Sequence, residues 1–337
     1  MKLPEEHPTI PKSKIGVLLI NLGTPDNTDY FSMRRYLNEF LSDKRVIEIP
    51  SYIWQPILKM FILTFRPKKS GNLYKKIWNK DLNESPLRTM TRKQTELIKF
   101  SFNKETKIYW AMRYGNPSIK DKIQEMQKEG CTRILIFPLY PQYSATTTAT
   151  VMDKVFEKLQ RTRWQPTIRT VPPFYDNKVY INTLVKIIKN HLLKLSWKPD
   201  ALLCSFHGIP KKYFEKGDPY HCHCVKTTRL IKEKLKNNIK NVEICFQSRF
   251  GPQEWLQPYM QDKFKELISR NMKKICVIAP SFVSDCLETL EEIKMEGKED
   301  FIGQGGEKFS YISCINDDKN AKNMFVEIIK RELSGWM

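Results

Sequence analysis

The 337-residue chain is short of the signatures that would place it at a glance. Its 13 glycines include no three-glycine dinucleotide fingerprint: the first strand-like run is followed by Asn21-Leu22-Gly23-Thr24-Pro25, with proline where the fingerprint should continue. No phosphate-cradling Walker loop and no Gly-x-Ser-x-Gly elbow is present, so NAD, ATP and serine-hydrolase readings fall away. GQGG at 303–306 precedes a strand-like run instead of following one, and is expected to be a turn. Low-complexity tracts, short-period repeats and flexible linkers are missing too. No apolar run is long enough to cross a bilayer: the most lipid-like, YIWQPILKMFILTF at 52–65, contains Gln, Pro and Lys. Acidic residues are outnumbered, 37 against 57 basic, for a net charge of +20. A basic chain invites a nucleic-acid reading, but the lysines are scattered and no nucleic-acid motif accompanies them, so no such partner is expected. An anionic small molecule or an anionic membrane surface suits the charge as well.

Eight cysteines lack any pairing pattern, which argues against a disulfide scaffold. The start, MKLPEEHPTIPKSK, is polar and has no apolar signal region. A reduced, cytoplasmic protein is expected, peripheral if anything on the inner face of the cytoplasmic membrane.

What the chain does have is alternation. Short Ile/Val/Leu-rich runs recur at 15–20, 108–112, 133–139, 167–171, 201–205, 242–247, 275–280 and 309–314, each strand-like in length and type. Amphipathic stretches lie between them. In 118–130, Ile119, Ile123 and Met126 fall at helical spacing and Gly130 suits a stop; 178–195 reads the same way. This is the pattern of α/β units with parallel sheets flanked by helices. Two consecutive wound domains are expected, 1–150 and 151–315, with a helix at about 316–337 packing back on the first.

In open α/β sheets ligands sit beyond the carboxyl ends of the strands. Those ends carry Leu22 in NLGTP, Arg113 and Tyr114, Tyr140 in YPQYS, His207, Trp255 in GPQEW, and Asp285 and Glu288. His221-Cys222-His223-Cys224 has ligand types in quantity but no second ligand pair at a defined distance. His207 stands alone after a strand, before Gly208 and Pro210. Glu288, Glu292 and Glu296 are spaced i, i+4, i+8 and line one helix face. That face is either simply solvated or a carboxylate track for cations and protons; like charges at this spacing repel mildly.

At LLCSFHGIP with GDPY, QSRFGPQEWLQP and APSFVSDCLETLEEI, and at LLINLGTP, RYGNPSI and FPLYPQYS in the same order, the sequence resembles the ferrochelatases over essentially its whole length. The resemblance implies two similar Rossmann-like domains around a porphyrin cleft and insertion of Fe2+ into protoporphyrin IX with release of two protons, the last step of heme biosynthesis. It implies His207 and Glu288 as catalytic and metal-handling residues facing each other across the macrocycle, with Asp285, Glu292 and Glu296 also handling metal. It implies substrate contacts from Arg113, Tyr114, Tyr140, Trp255, Tyr74, Ser85 and Leu22, and an apolar lip from 52–69. No cofactor is required, iron being a substrate. The animal-type iron–sulfur cluster is not expected, since its internal Cys position is Ala145 and the tail carries no Cys; a different cluster is conceivable only at Cys222 and Cys224. A cobalt or nickel chelatase of the same fold, or a non-catalytic tetrapyrrole carrier, are the alternatives.

The lip carries Ile53, Trp54, Ile57, Leu58, Phe61, Ile62 and Phe65 near helical spacing, then Arg66, Lys68 and Lys69. An apolar face beside a basic cluster is the pattern of an interfacial helix on anionic lipid. A buried core helix shares the same periodicity.

Overall fold

The computed structural model describes residues 6–7, 10–249 and 251–337, so Met1–Glu5 of the polar start lie outside them. All eight Ile/Val/Leu runs fall on strands. β1 (Lys14–Thr24), β2 (Thr106–Gly115), β3 (Cys131–Pro138) and β4 (Thr167–Thr170) form one parallel sheet, order β2-β1-β3-β4. β5 (Ala201–His207), β6 (Asn241–Gln247), β7 (Lys274–Ile278) and β8 (Lys308–Ile312) form a second, order β6-β5-β7-β8. The two sheets therefore repeat one topology, each with its first strand inside.

Ile15–Ile20 of β1 is buried without alternation, because helices cover both faces of a parallel sheet. The covering helices start where their caps say. Ser118 accepts from the Asp121 amide to open Ile119–Lys128, which buries Ile119, Ile123 and Met126. Asn177 caps Lys178–Leu192 by accepting from the Val179 and Tyr180 amides. Such caps each stabilise by about 1 kcal/mol.

One buried apolar cluster runs from Val17 and Phe137 of the first sheet through Phe174 and Tyr180 to Cys204 and Phe206 of the second. The C-terminal helix Lys319–Glu332 joins this cluster through Phe325, whose ring meets Phe137 edge-on at 5.9 Å. Arg169 Nη1 donates to the carbonyls of Glu332 and Ser334, and Arg133 Nη1 to that of Trp336. Residues of the first sheet thus hold the end of the chain. The division placed near residue 150 falls inside the first sheet, whose edge strand β4 lies at Thr167–Thr170. A four-residue strand does not announce which sheet it joins; its pairing with β3 does.

Candidate active site

At the carboxyl edge of the first sheet the polar side chains satisfy one another. Gly23 has φ +119°, and a side chain there would meet the Tyr114 carbonyl oxygen at 1.9 Å. The glycine of NLGTP therefore serves close approach of β1 and β2 rather than a phosphate. Arg113 is buried, its Nε donating to Thr150 O (2.9 Å) and Thr150 Oγ1 (2.7 Å) and its Nη2 pairing with Asp43. The Tyr114 hydroxyl donates to the same Asp43 carboxylate at 2.8 Å. Burial opposes ionisation of Asp43, yet hydrogen bonds from Thr150 and the Arg45 amide, with the Arg113 charge, hold it below the usual carboxylate range. Some buried atoms are left over. Arg113 Nη1 and the Tyr140 hydroxyl have no hydrogen-bond partner among the described residues; the nearest carboxylate to Nη1 is Glu39, at 3.9 Å. Orphans of this kind are rare and mark places where another molecule can supply the partner.

Leu22, Tyr74 and Tyr114 share one apolar cluster with Leu287, the residue before Glu288, so this wall reaches the other half of the molecule. Tyr74 lies in Leu63–Ile77, edge-on to Tyr36 and Trp78. Ser85 is the N-cap of Pro86–Lys99, accepting from the Arg88 amide at 3.2 Å.

At the second edge, His207 is the last residue of β5, opposite Gln247. Its Nδ1 lies 2.6 Å from the Gly208 carbonyl. A carbonyl can only accept, so Nδ1 carries a proton, and in the neutral ring the lone pair is then on Nε2, which makes no hydrogen bond among the described residues. The Trp255 ring stands 6.5 Å away, tilted 51°. A side chain at Gly208 would be tight: a Cβ would approach Gln247 O at 3.0 Å and Trp255 Cε3 at 3.1 Å. Gln247 ties this end of β5 to the acidic element. Its carbonyl accepts from Gly208 N at 2.8 Å, and its Nε2 donates to the Glu288 carbonyl at 2.7 Å.

Glu288 sits in the first turn of the short helix Leu287–Leu290. Burial first, and then the Glu288 charge, push the Tyr74 phenol above its ordinary value. Glu288 acts in the same sense on Tyr36 and Tyr140, where burial again dominates. Its neighbour Leu287 packs with Tyr74 and Tyr114 while its own carbonyl is held by Gln247, so it lies at the seam between the two edges. Glu292 and Glu296 follow in a π-helical turn, Glu292–Gly297, closed by Glu296 N donating to Glu291 O. The wider turn takes more than four residues per revolution, so positions four apart stay closer to one line than on the α-helix expected from the spacing. Ser248, held at φ +65°, donates to Glu292. Burial, then the Glu288 charge, raise the Glu292 carboxyl to about 8. Glu296 is exposed, and burial followed by Glu291 and Asp300 raises it more modestly.

Asp285 does not join this group. It is buried, and its oxygens accept from Thr289 Oγ1, Tyr311 OH, Cys314 N and Asn316 Nδ2. These four hydrogen bonds anchor the carboxylate within the fold, unlike the carboxylates of Glu292 and Glu296. Among the described residues no group of three or more His, Cys, Asp or Glu converges to chelate an ion. Glu288, Glu292 and Glu296 form a spaced path rather than a cage.

His221-Cys222-His223-Cys224 lies on the helix Tyr220–Leu235, which fans the four side chains apart. His223 stacks on Tyr175 at 3.6 Å and accepts from Tyr143 N; His221 stacks near Phe246. Cys222 is exposed and Cys224 fully buried.

The lip is three successive pieces, Ser51–Ile57, the π-turn Leu58–Ile62 and Leu63–Ile77. Leu58 and Leu63 are buried, but Tyr52 (80 % exposed), Met60 (66 %), Phe61 (58 %) and Phe65 (73 %) face outward. The core-helix alternative is thereby set aside, for a core helix hides such side chains.

Sequence reading missed Gln247, Asp43 and Thr150. Gln247 was within reach, since it ends β6 as His207 ends β5. Asp43 and Thr150 carry no local signal.

A family profile described as Ferrochelatase matches residues 14–333. A ferrochelatase of Agrobacterium fabrum is 55 % identical over 99 % of this chain and 98 % of its own. One from Brucella ovis is 51 % identical over 98 % of this chain and 95 % of its own. Among solved structures, SirB from Bacillus subtilis with Fe3+ superimposes with a TM-score of 0.56 at 12 % identity, covering 96 % of this chain and 98 % of that one. At that identity the likeness speaks for the fold alone: two similar α/β domains of the chelatase type.

Proposed function

The chain belongs to the ferrochelatase family and is an enzyme of heme biosynthesis that inserts iron into protoporphyrin; we propose that His207 takes the pyrrole protons and that Glu288, with Glu292 and Glu296 behind it, hands over the metal. The observation that carries this reading is the His207 tautomer. With Nδ1–H committed to the Gly208 carbonyl, it is Nε2 of the neutral ring that presents a lone pair at the sheet edge, the form a general base requires.

Insertion breaks two pyrrole N–H bonds and forms metal–nitrogen bonds in their place, so two protons leave as the ion enters. His207 receives them one at a time and passes them to water. Carboxylates are oxygen ligands weak enough to release ferrous iron, and the path of Glu296, Glu292 and Glu288 runs from an exposed residue to the seam beside Tyr74 and Tyr140. Tyr114, Tyr140, Trp255, Tyr74 and Leu22 form apolar walls for the macrocycle. Arg113 Nη1 offers one remaining donor to a propionate. Anaerobic turnover of free-base protoporphyrin with ferrous iron, followed by the change in visible absorption, tests the assignment. Loss on His207→Ala with iron supports it, and wild-type turnover by that variant overturns it. Cobalt and nickel in the same assay rank the metals.

No cofactor is needed for this chemistry. Cys222→Ser leaves turnover unchanged, and iron and sulfide analysis of anaerobically purified protein checks that the helix carrying Cys222 and Cys224 holds no cluster.

Among the described residues no helix is long and apolar enough to cross a membrane. The exposed Tyr52, Met60, Phe61 and Phe65 make the lip a lipid-facing surface, suited to an apolar porphyrin that arrives from a membrane.

A further inference from the structure

A concavity of about 290 Å³ lies between the helix Tyr30–Leu41 and the lip, lined by Phe31, Arg34, Arg35, Asn38, Lys59 and Leu63. None of the residues assigned to iron or porphyrin lines it. Three of its six lining residues are cations and none is acidic. Arg45, Arg88 and Arg92 each close on a carboxylate; Arg35 instead donates to Ser32 Oγ at 3.0 Å. The carboxylate that feels Arg35 is Asp29, whose oxygen is already engaged by the Phe31 and Ser32 amides. The concavity is thus cationic, small and close to the exposed lip.

We infer that this concavity holds the phosphate of an anionic phospholipid headgroup, making it a lipid-binding site separate from the porphyrin cleft. The inference rests on the lipid-facing reading of the lip. The rim decides between a lipid and a free ion. Phe31 is 70 % exposed on one wall, and Lys59 is followed in the chain by exposed Met60 and Phe61. A free phosphate would leave that apolar rim wet, whereas a phosphodiester would place its glycerol and acyl chains over it. Arg34 and Arg35 supply planar forks matched to phosphate oxygens, and Lys59 a point charge.

Co-sedimentation with phosphatidylcholine vesicles, with and without phosphatidylglycerol, tests this. Arg34→Gln with Arg35→Gln lowers affinity for the anionic vesicles by about 30-fold, the effect of two cations at a charged surface. The same double variant binds neutral vesicles as wild type does. Lys265→Gln with Lys322→Gln removes the same charge at exposed sites elsewhere and leaves binding nearly unchanged, since screening confines such attraction to about 10 Å. Equal losses in the two doubles would mean diffuse attraction and overturn the site, as would undiminished binding by the arginine double. Inorganic phosphate displaces no more wild type than chloride of equal ionic strength; specific displacement by phosphate alone would reassign the concavity to a free anion. Ile57→Glu with Phe61→Glu separates the two readings. If wild type binds and only the lip double fails, the concavity assignment alone falls. If wild type binds no vesicle, the lipid-facing lip falls with it. Turnover of detergent-dispersed porphyrin by the arginine double matches wild type and certifies its fold.

Discussion

The two sheets share one strand order, yet their carboxyl edges differ in kind. At the first edge Arg113, Asp43, Tyr114 and Thr150 close on one another, with Arg113 Nη1 and the Tyr140 hydroxyl among the buried atoms left unpartnered. At the second edge His207 keeps Nε2 unoccupied, and Glu292 is pushed far from its ordinary protonation behaviour. One edge is a satisfied polar wall; the other holds groups whose protons can move. A saturated network resists change because every lost bond leaves a buried group bare, whereas an imidazole with an open ring nitrogen keeps a position at which another atom can bind. Repeating one topology thus yields a rigid binding wall on one side and a reactive wall on the other.

The strongest way to break that contrast is His207→Ala. It should reduce turnover by about 10³-fold, within the range for a positioned acid–base group, while the variant melts like wild type. A large fall in melting temperature would make His207 a structural residue. The mirror experiment is Asp43→Ala at the first edge. It leaves the buried Arg113 charge without its main partner and should cost about 3 kcal/mol of stability, read by denaturant unfolding. Were its unfolding unaltered, the first edge would not be the satisfied wall described.

Next comes Glu288→Gln, which keeps shape and removes charge. Turnover should fall about 10²-fold, with smaller losses at Glu292→Gln and smaller still at Glu296→Gln. Equal, negligible effects in a steady-state series over iron concentration would return all three to a merely solvated face.

The smallest effect sharpens the protonation difference. The Glu292 carboxyl, raised to about 8 by burial and then by Glu288, binds a proton that the unfolded chain, with its glutamates near 4.3, releases. Between those values the folded state holds more protons, so stability falls as pH rises and the cost is complete above about 8. Glu292→Gln removes that titration. Its stability relative to wild type should rise from about pH 5 to about pH 9 by on the order of 1 kcal/mol, solvent at the half-buried side chain screening the rest. A flat difference in paired thermal melts would mean that Glu292 is charged throughout and the path carries one more negative charge at neutral pH.

Local pattern alone determined much of this protein. The eight strands were legible because Ile, Val and Leu cluster where a strand is buried on both faces, and the helices because apolar residues such as Ile119, Ile123 and Met126 recur at helical spacing. His207 was legible as the residue ending a strand in a fold whose ligands gather at strand ends. Tertiary structure alone decided what saturates what and what lies uncovered. Asp285 and Glu288 are three residues apart and alike in sequence, but Tyr311, Cys314 and Asn316 come in from beyond β7 to occupy Asp285. The pairing of Asp43 with Arg113 spans 70 residues and leaves no local trace. The lip has the same periodicity whether it is core or surface; it is surface because nothing among the described residues folds back over Tyr52, Phe61 and Phe65. Periodicity and caps are properties of neighbouring residues, which sequence states outright, whereas hydrogen-bond saturation and coverage depend on partners brought from far along the chain.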